Sequence, residues 1–159
     1  MRTLLLAIVA AALFATPAGA ATDADPLMQP VHQFIDGFNK GNDKAVKAAF
    51  VTTGLAIIDE VPPHVWTGPN ALAAWIKDLA ATDKKEGNTA PQSVTLGTPT
   101  REISAGTRGY VVVPAVYRFK RHGVSMREPA QMTFSLQKVS GTWLITGWTW
   151  VGTKPQPGT

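Results

Sequence analysis

The sequence predicts an α+β domain in which three N-terminal helices pack on the concave face of a strongly bent antiparallel sheet. Two observations carry this expectation. Apolar residues recur at helical spacing in three segments before Gly87, and beyond Gly87 they alternate with polar residues in segments separated by turn residues. Helices followed by an antiparallel meander bury one face of the sheet beneath the helices. The length of 159 residues, with 45% hydrophobic and 16% charged side chains, suits a single domain with its own core.

The elements follow in order. Arg2, the apolar run Leu4 to Phe14 and the small residues Ala18-Gly19-Ala20 form the pattern of a signal peptide over residues 1–20, cleaved after Ala20 to release a periplasmic or secreted protein. The run is too short to span a bilayer and no cysteine follows it, so neither a membrane anchor nor lipid attachment is expected. Residues 21–27 read as a tether, residues 28–153 as the domain and residues 154–159 as a flexible Pro/Gly tail. Val31, Phe34, Ile35 and Phe38 form the buried stripe of a first helix, with His32, Gln33, Asp36, Asn39 and Lys40 on its other side and Gly41 closing it. Asn42 is placed to cap a second, shorter helix carrying Val46, Ala49 and Phe50. Leu55 to Val61 reads as a strand stopped by Pro62-Pro63, and His64 to Trp66 as a short extended piece. Gly68-Pro69-Asn70 then leads into a third helix bearing Leu72, Trp75, Ile76 and Leu79, with Gly87 as its stop.

Beyond Gly87 the chain reads as sheet. Val94 to Ile103 is interrupted by Gly97 and Pro99, Gly109 to Phe119 is rich in β-branched and aromatic residues, and Pro129 to Lys138 sets Met132, Phe134 and Leu136 on one face. Thr142 to Val151 is the last strand. A bulge at Gly147 would bring Trp143, Ile145, Trp148 and Trp150 onto a single face despite the change from odd to even positions.

Composition removes several classes. Fifteen basic against 11 acidic side chains give +4, and loss of Arg2 with the leader leaves 14 against 11, or +3. The nearest approach to a basic cluster, Arg118, Lys120 and Arg121, is a solvated strand end rather than the wide basic face that nucleic acid requires. With no cysteine there is no disulfide framework. His32, His64 and His122 stand in three separate contexts without an i, i+4 pair, so no metal site is expected. A phosphate loop, a dinucleotide fingerprint and a Ser-His-Asp arrangement are all missing, and no cofactor is expected.

The order of elements and several local motifs resemble the nuclear transport factor 2-like superfamily, which includes ketosteroid isomerase, scytalone dehydratase and SnoaL-like cyclases. The motifs are the Phe34 to Phe38 helix with Asn39-Lys40-Gly41-Asn42, the Ala56-Ile57-Ile58-Asp59 strand, the segment Trp66 to Leu72 and the final Gly141-Thr142-Trp143-Leu144-Ile145. The resemblance implies a cone-shaped fold with an apolar pocket between helices and sheet, and an open sheet face of the kind through which members of the superfamily form homodimers. The fold leaves the function open, because its members include isomerases, dehydratases, cyclases and proteins without catalysis.

The reading that follows is a protein binding a small, largely apolar molecule in the cone, through Phe34, Phe38, His64, Trp66, Tyr110, Tyr117, Trp148 and Trp150. Tyr110 and Tyr117 lie seven apart, so an unbroken strand lets only one of them face the pocket. The enzyme alternative is a cofactor-independent isomerase or lyase with Asp59 or Glu60 as general base, and a third alternative is an interaction module that dimerises through the sheet face. Asp59 ends an apolar strand at the position of the proton-shuttling carboxylate in ketosteroid isomerase, which the resemblance implies. The two oxyanion donors of that enzyme fall on Phe34 and near Met132, neither of which donates, and their loss argues for binding over catalysis. The other readings of these residues are equally concrete: the tryptophans as core and Asp59 as a solvated acid.

Overall fold

The computed structural model describes residues 25–158. The expected signal peptide and its cleavage point lie outside these residues, as does the tether up to residue 24. The described end of the tether is already part of the fold: Leu27 is buried, its N–H donates to the Asp25 carboxylate at 2.9 Å, and the Met28 N–H donates to the Asp25 carbonyl.

Helix α1 spans Met28–Asn39 and buries Val31, Phe34 and Ile35 along one stripe. Asn39, read as solvent-facing, instead clamps a strand, accepting from the Val94 N–H and donating to the Val94 carbonyl, both at 2.8 Å. Helix α2, Asp43–Ala48, starts at Asn42, whose side chain accepts the Ala45 N–H at 3.1 Å. Helix α3, Ala71–Glu86, buries Leu72 and Trp75. Gly87 ends it in the left-handed conformation at φ +70°, where a Cβ would collide with the His122 ring, so both backbone and space require glycine.

The strands are β1 (Ala56–Ile58), β2 (Val65–Thr67), β3 (Asn88–Leu96), β4 (Arg101–Ala105), β5 (Arg108–Arg121), β6 (Val124–Val139), β7 (Thr142–Gly152) and β8 (Gln156–Pro157). They form one sheet in the order β2-β1-β7-β6-β5-β3, with β4 also on β5 and β8 on β6. The sheet is mixed rather than purely antiparallel, because β1 pairs with β7 in parallel, Ile57 opposite Trp148. Pairing the first strand with the last is a long-range choice on which local alternation is silent. Pro114, in the middle of β5, sits where one edge partner gives way to another, between Ala115 opposite Leu96 of β3 and Val112 opposite Arg101 of β4. A missing N–H costs no ladder bond at that gap.

Register slips at one point in β6–β7: Ser135 opposes Gly147 and Leu136 opposes Ile145, leaving Thr146 as the extra residue. This bulge keeps Trp143, Ile145 and Trp148 buried across the parity change and turns Trp150 to the same side, packed against the core. At the C-terminus, residues expected to form a tail pair instead. The Thr153 N–H donates to the Pro129 carbonyl at 2.9 Å, Gln156 and Pro157 oppose Arg127 and Met126, and Gly158 reaches the Ser125 carbonyl.

The core lies between the helices and the concave face, with Phe34, Ile57, Val111, Met132, Phe134 and Ile145 fully enclosed. No helix of the described residues is long and apolar enough to cross a membrane.

Candidate functional site

Two tryptophan–aspartate bonds set the geometry at one end of the concave face. Residues 59–64 turn between β1 and β2, closed by the Asp59 N–H on the His64 carbonyl at 3.1 Å. Trp75 of α3 donates its indole N–H to Asp59 Oδ2 at 2.7 Å, and Trp66 of β2 donates to Asp78 Oδ2 of α3 at 2.8 Å. Each element supplies one donor and one acceptor, so helix and hairpin fix each other's position.

Above this junction lies a cavity of about 260 Å³ between α1, α3 and the sheet. Aromatic rings make its walls. Phe34 packs against Trp148 with centroids 5.6 Å apart, Trp148 meets Trp75 edge-on at 5.0 Å, and Phe38 lies 6.2 Å from Trp75. On the sheet side, Tyr117 stacks on Phe119 at 4.8 Å and meets Trp150 edge-on at 6.3 Å. Arg121 lies over Phe119 at 5.2 Å and pairs with Glu86.

The polar part of the lining is acidic. Asp59 Oδ1 accepts the Val61 N–H at 3.3 Å while Oδ2 holds the Trp75 bond. Burial raises the Asp59 pKa above the ordinary aspartate range, and the bonds from Trp75, Val61 and Glu60 N–H partly oppose it. Glu128 of β6 is 6% exposed and accepts the Trp150 indole N–H at 2.7 Å. Its pKa is pushed up to about 8, first by burial and then by the Glu60 carboxyl hydrogen-bonded to it, with the Trp150 bond opposing and the Glu60 and Asp59 charges adding. Burial and the neighbouring acid thus favour the protonated form of Glu128. Gly152 makes room for this pair: a Cβ there would collide with Glu128 Oε1 and Glu60 Oε1. Burial also raises Tyr117, with the Asp83, Glu128 and Asp59 charges adding to it. The Tyr117 hydroxyl and the Trp148 indole N–H are buried without a hydrogen-bond partner.

Of the residues expected at the site, Phe34, Phe38, Asp59, Glu60, Tyr117, Trp148 and Trp150 line this cavity. Three expected there do not. Trp66 is buried beneath the hairpin with its N–H on Asp78, Tyr110 is 41% exposed, and His64 is exposed at φ +76° with its ring against the Asp59 carbonyl. The β5–β6 register runs without a slip through Pro114, so the seven-residue spacing puts Tyr117 inside and Tyr110 outside. Glu128 and Gly152 were missed. The signal for Glu128 was the inward alternation of Leu136, Phe134 and Met132, which two further steps carry through Ala130 to Glu128. Glu128, whose protonated form burial favours, lies beside the Glu60 carboxyl and at neither of the positions of Phe34 and Met132. Among the described residues no group of three or more His, Asp or Glu side chains is arranged to hold a metal ion.

No protein-family model and no curated protein matches the chain. Solved structures do resemble it. A nuclear transport factor 2-like superfamily protein from Salmonella enterica serovar Typhimurium superposes with a TM-score of 0.64 at 13% identity over 83% of this chain and 89% of its own. A type 2 hexachlorocyclohexane dehydrochlorinase gives 0.68 at 11% identity over 84% and 87%. A ketosteroid isomerase-like protein from Erwinia carotovora atroseptica gives 0.62 at 16% identity over 81% and 95%. At these identities the likeness establishes the fold, which is that of the nuclear transport factor 2-like cone.

Proposed function

We propose that this protein binds a small, largely apolar molecule in the cavity between α1, α3 and the concave sheet. The observation that carries the reading is the aromatic wall, in which Phe34, Phe38, Trp75 and Trp148 enclose a space of about 260 Å³ with polar groups confined to part of the lining. Such concave, mainly apolar enclosures with a few placed polar groups are the usual form of small-molecule sites. Titration with 1-tetralone, a neutral bicyclic ketone, followed by tryptophan fluorescence tests it. Saturable quenching that is weakened in Trp148→Ala supports the reading, and unchanged fluorescence contradicts it.

One observation favours a second reading, proton-transfer catalysis. Asp59 is a carboxylate in the cavity with its pKa raised by burial, which suits a general base. The similar structures named for dehydrochlorination and ketosteroid isomerisation lend it support, since both reactions take a proton from carbon. Against it, both Asp59 oxygens accept N–H bonds and Glu128 lies beside the Glu60 carboxyl, so no free donor is committed to a developing oxyanion. Deuterium exchange at the α-carbon of 1-tetralone separates the two readings. Binding alone leaves exchange at the protein-free rate, and accelerated exchange that disappears in Asp59→Asn would establish catalysis.

The reading includes action outside the cytoplasm, supported by the leader pattern ending at Ala18-Gly19-Ala20. Intact mass of exported material should correspond to a chain beginning at Ala21. A retained leader would contradict this.

A further inference from the structure

We infer that the molecule taken by this cavity is an organic cation, with an apolar body against the aromatic wall and its positive charge beside Asp59, Glu60 and Glu128. The inference rests on the binding reading and deepens it. Five carboxyl side chains line the cavity, Asp59, Glu60, Asp83, Glu86 and Glu128, against one guanidinium, Arg121. Arg121 is already committed to Glu86, in the sole salt bridge among the described residues. Asp83 is satisfied by the amides of Asn88 and Gln92. At the other end, Asp59 and the buried Glu128 have no Lys, Arg or His within ion-pair distance, and indole and backbone N–H groups oppose their charge, while Glu60 beside them is exposed to solvent.

Enclosed carboxylates without a counter-ion are costly, and a cation offsets that cost beyond what the N–H bonds to Asp59 and Glu128 do. Here burial and the neighbouring Glu60 carboxyl raise the Glu128 pKa and favour its protonated form. A second, independent feature points to an occupant, one that carries a hydrogen-bond acceptor besides its charge: Trp148, 4% exposed, has an indole N–H without a partner on the same wall, and the buried Tyr117 hydroxyl is likewise unpaired. Tyr117 adds a lone pair that an ammonium-type donor can use. Rings facing a cavity favour a cation over their faces, most strongly where water is excluded. An anion would meet the carboxyl groups unscreened, so the same lining that attracts the cation rejects acids.

Binding a cation at this end favours the ionised form of Glu128. Asp59 and Tyr117 are the other titratable groups facing Glu128, and the Asp59 charge favours its protonated form until the cation arrives. Affinity for a permanently charged cation therefore rises with pH up to about 8, where Glu128 itself titrates.

The test is calorimetric titration of the purified protein with N-methylquinolinium and with 1-methylnaphthalene, two bicyclic probes of the same shape that differ by one charge. The expected result is binding of the cation at least about tenfold tighter than the hydrocarbon at pH 7.5. That advantage should grow as pH rises and vanish in Glu60→Gln/Glu128→Gln. Equal or tighter binding of 1-methylnaphthalene would overturn the inference while leaving the apolar-ligand reading standing. Failure of both probes to bind wild type would overturn both. An advantage for the cation that persists in the double variant and in Asp59→Asn would also overturn it, because the charge would then be recognised elsewhere.

Discussion

Asp59 and Glu128 are two carboxyl groups of the same lining, both raised by burial and set apart by the groups that hydrogen-bond to them. Asp59 sits under two N–H donors, which favour its ionised form against the cost of burial. Glu128 has one donor and an acid for a neighbour, which favours its protonated form. The sign of its effect on stability follows. A carboxyl whose pKa is higher in the folded than in the unfolded chain binds its proton more tightly when folded. Its contribution is therefore complete below the ordinary glutamate range and is lost as pH rises toward about 8. Asp59, also raised, acts in the same direction. Thermal unfolding should show a midpoint that falls between pH 5.5 and pH 8.5, with a flatter profile in Glu128→Gln; a midpoint rising over that window would contradict the assignment. At this scale the sequence was partly legible. Strand parity showed that only one of Tyr110 and Tyr117 faces in, but not which one. Glu128 escaped because Pro129 was read as the start of a strand, whereas proline is tolerated there and β6 continues back to Val124. Trp66 misled for the opposite reason. An aromatic before a helix reads as a rim residue, and only the fold shows that Asp78 one helix away takes its N–H.

At the scale of elements, α3 and the β1–β2 hairpin hold each other through Trp75 on Asp59 and Trp66 on Asp78. Trp75 also packs against Phe34, Phe38 and Trp148. Trp75→Ala removes the ring contacts and one donor to a buried carboxylate, and should cost about 3 to 5 kcal/mol in chemical denaturation. A loss below about 1 kcal/mol would mean that the helix is held some other way. The helices and their stops were legible because their signals are local: periodic apolar stripes, the Asn42 cap and Gly87. The bulge in β7 was legible too, since only an extra residue reconciles Trp143 with Trp148, although that residue is Thr146 and Gly147 pairs with Ser135 beside it. The pairing of β1 with β7 and the return of residues 156–157 onto β6 were not. Edge partners are chosen by the whole sheet, and a short segment such as Gln156-Pro157 has no pattern of its own to announce a strand.

For the whole molecule, the order of helices before a meander specified an α+β domain with helices on one face of a bent sheet, and the cone followed from the resemblance carried by the local motifs. The space beneath those helices follows less directly. Whether large aromatics fill a cone or wall it depends on packing geometry, and here Phe34, Trp75 and Trp148 leave about 260 Å³ between them and the sheet. The central claim is that this space receives a small, largely apolar molecule. The most direct measurement is a crystal structure of the protein grown with 1-tetralone. The account predicts density for the bicyclic ring in contact with Phe34, Trp75 and Trp148, whereas a cavity closed by collapsed side chains, or ketone bound only on the outer surface, would contradict it.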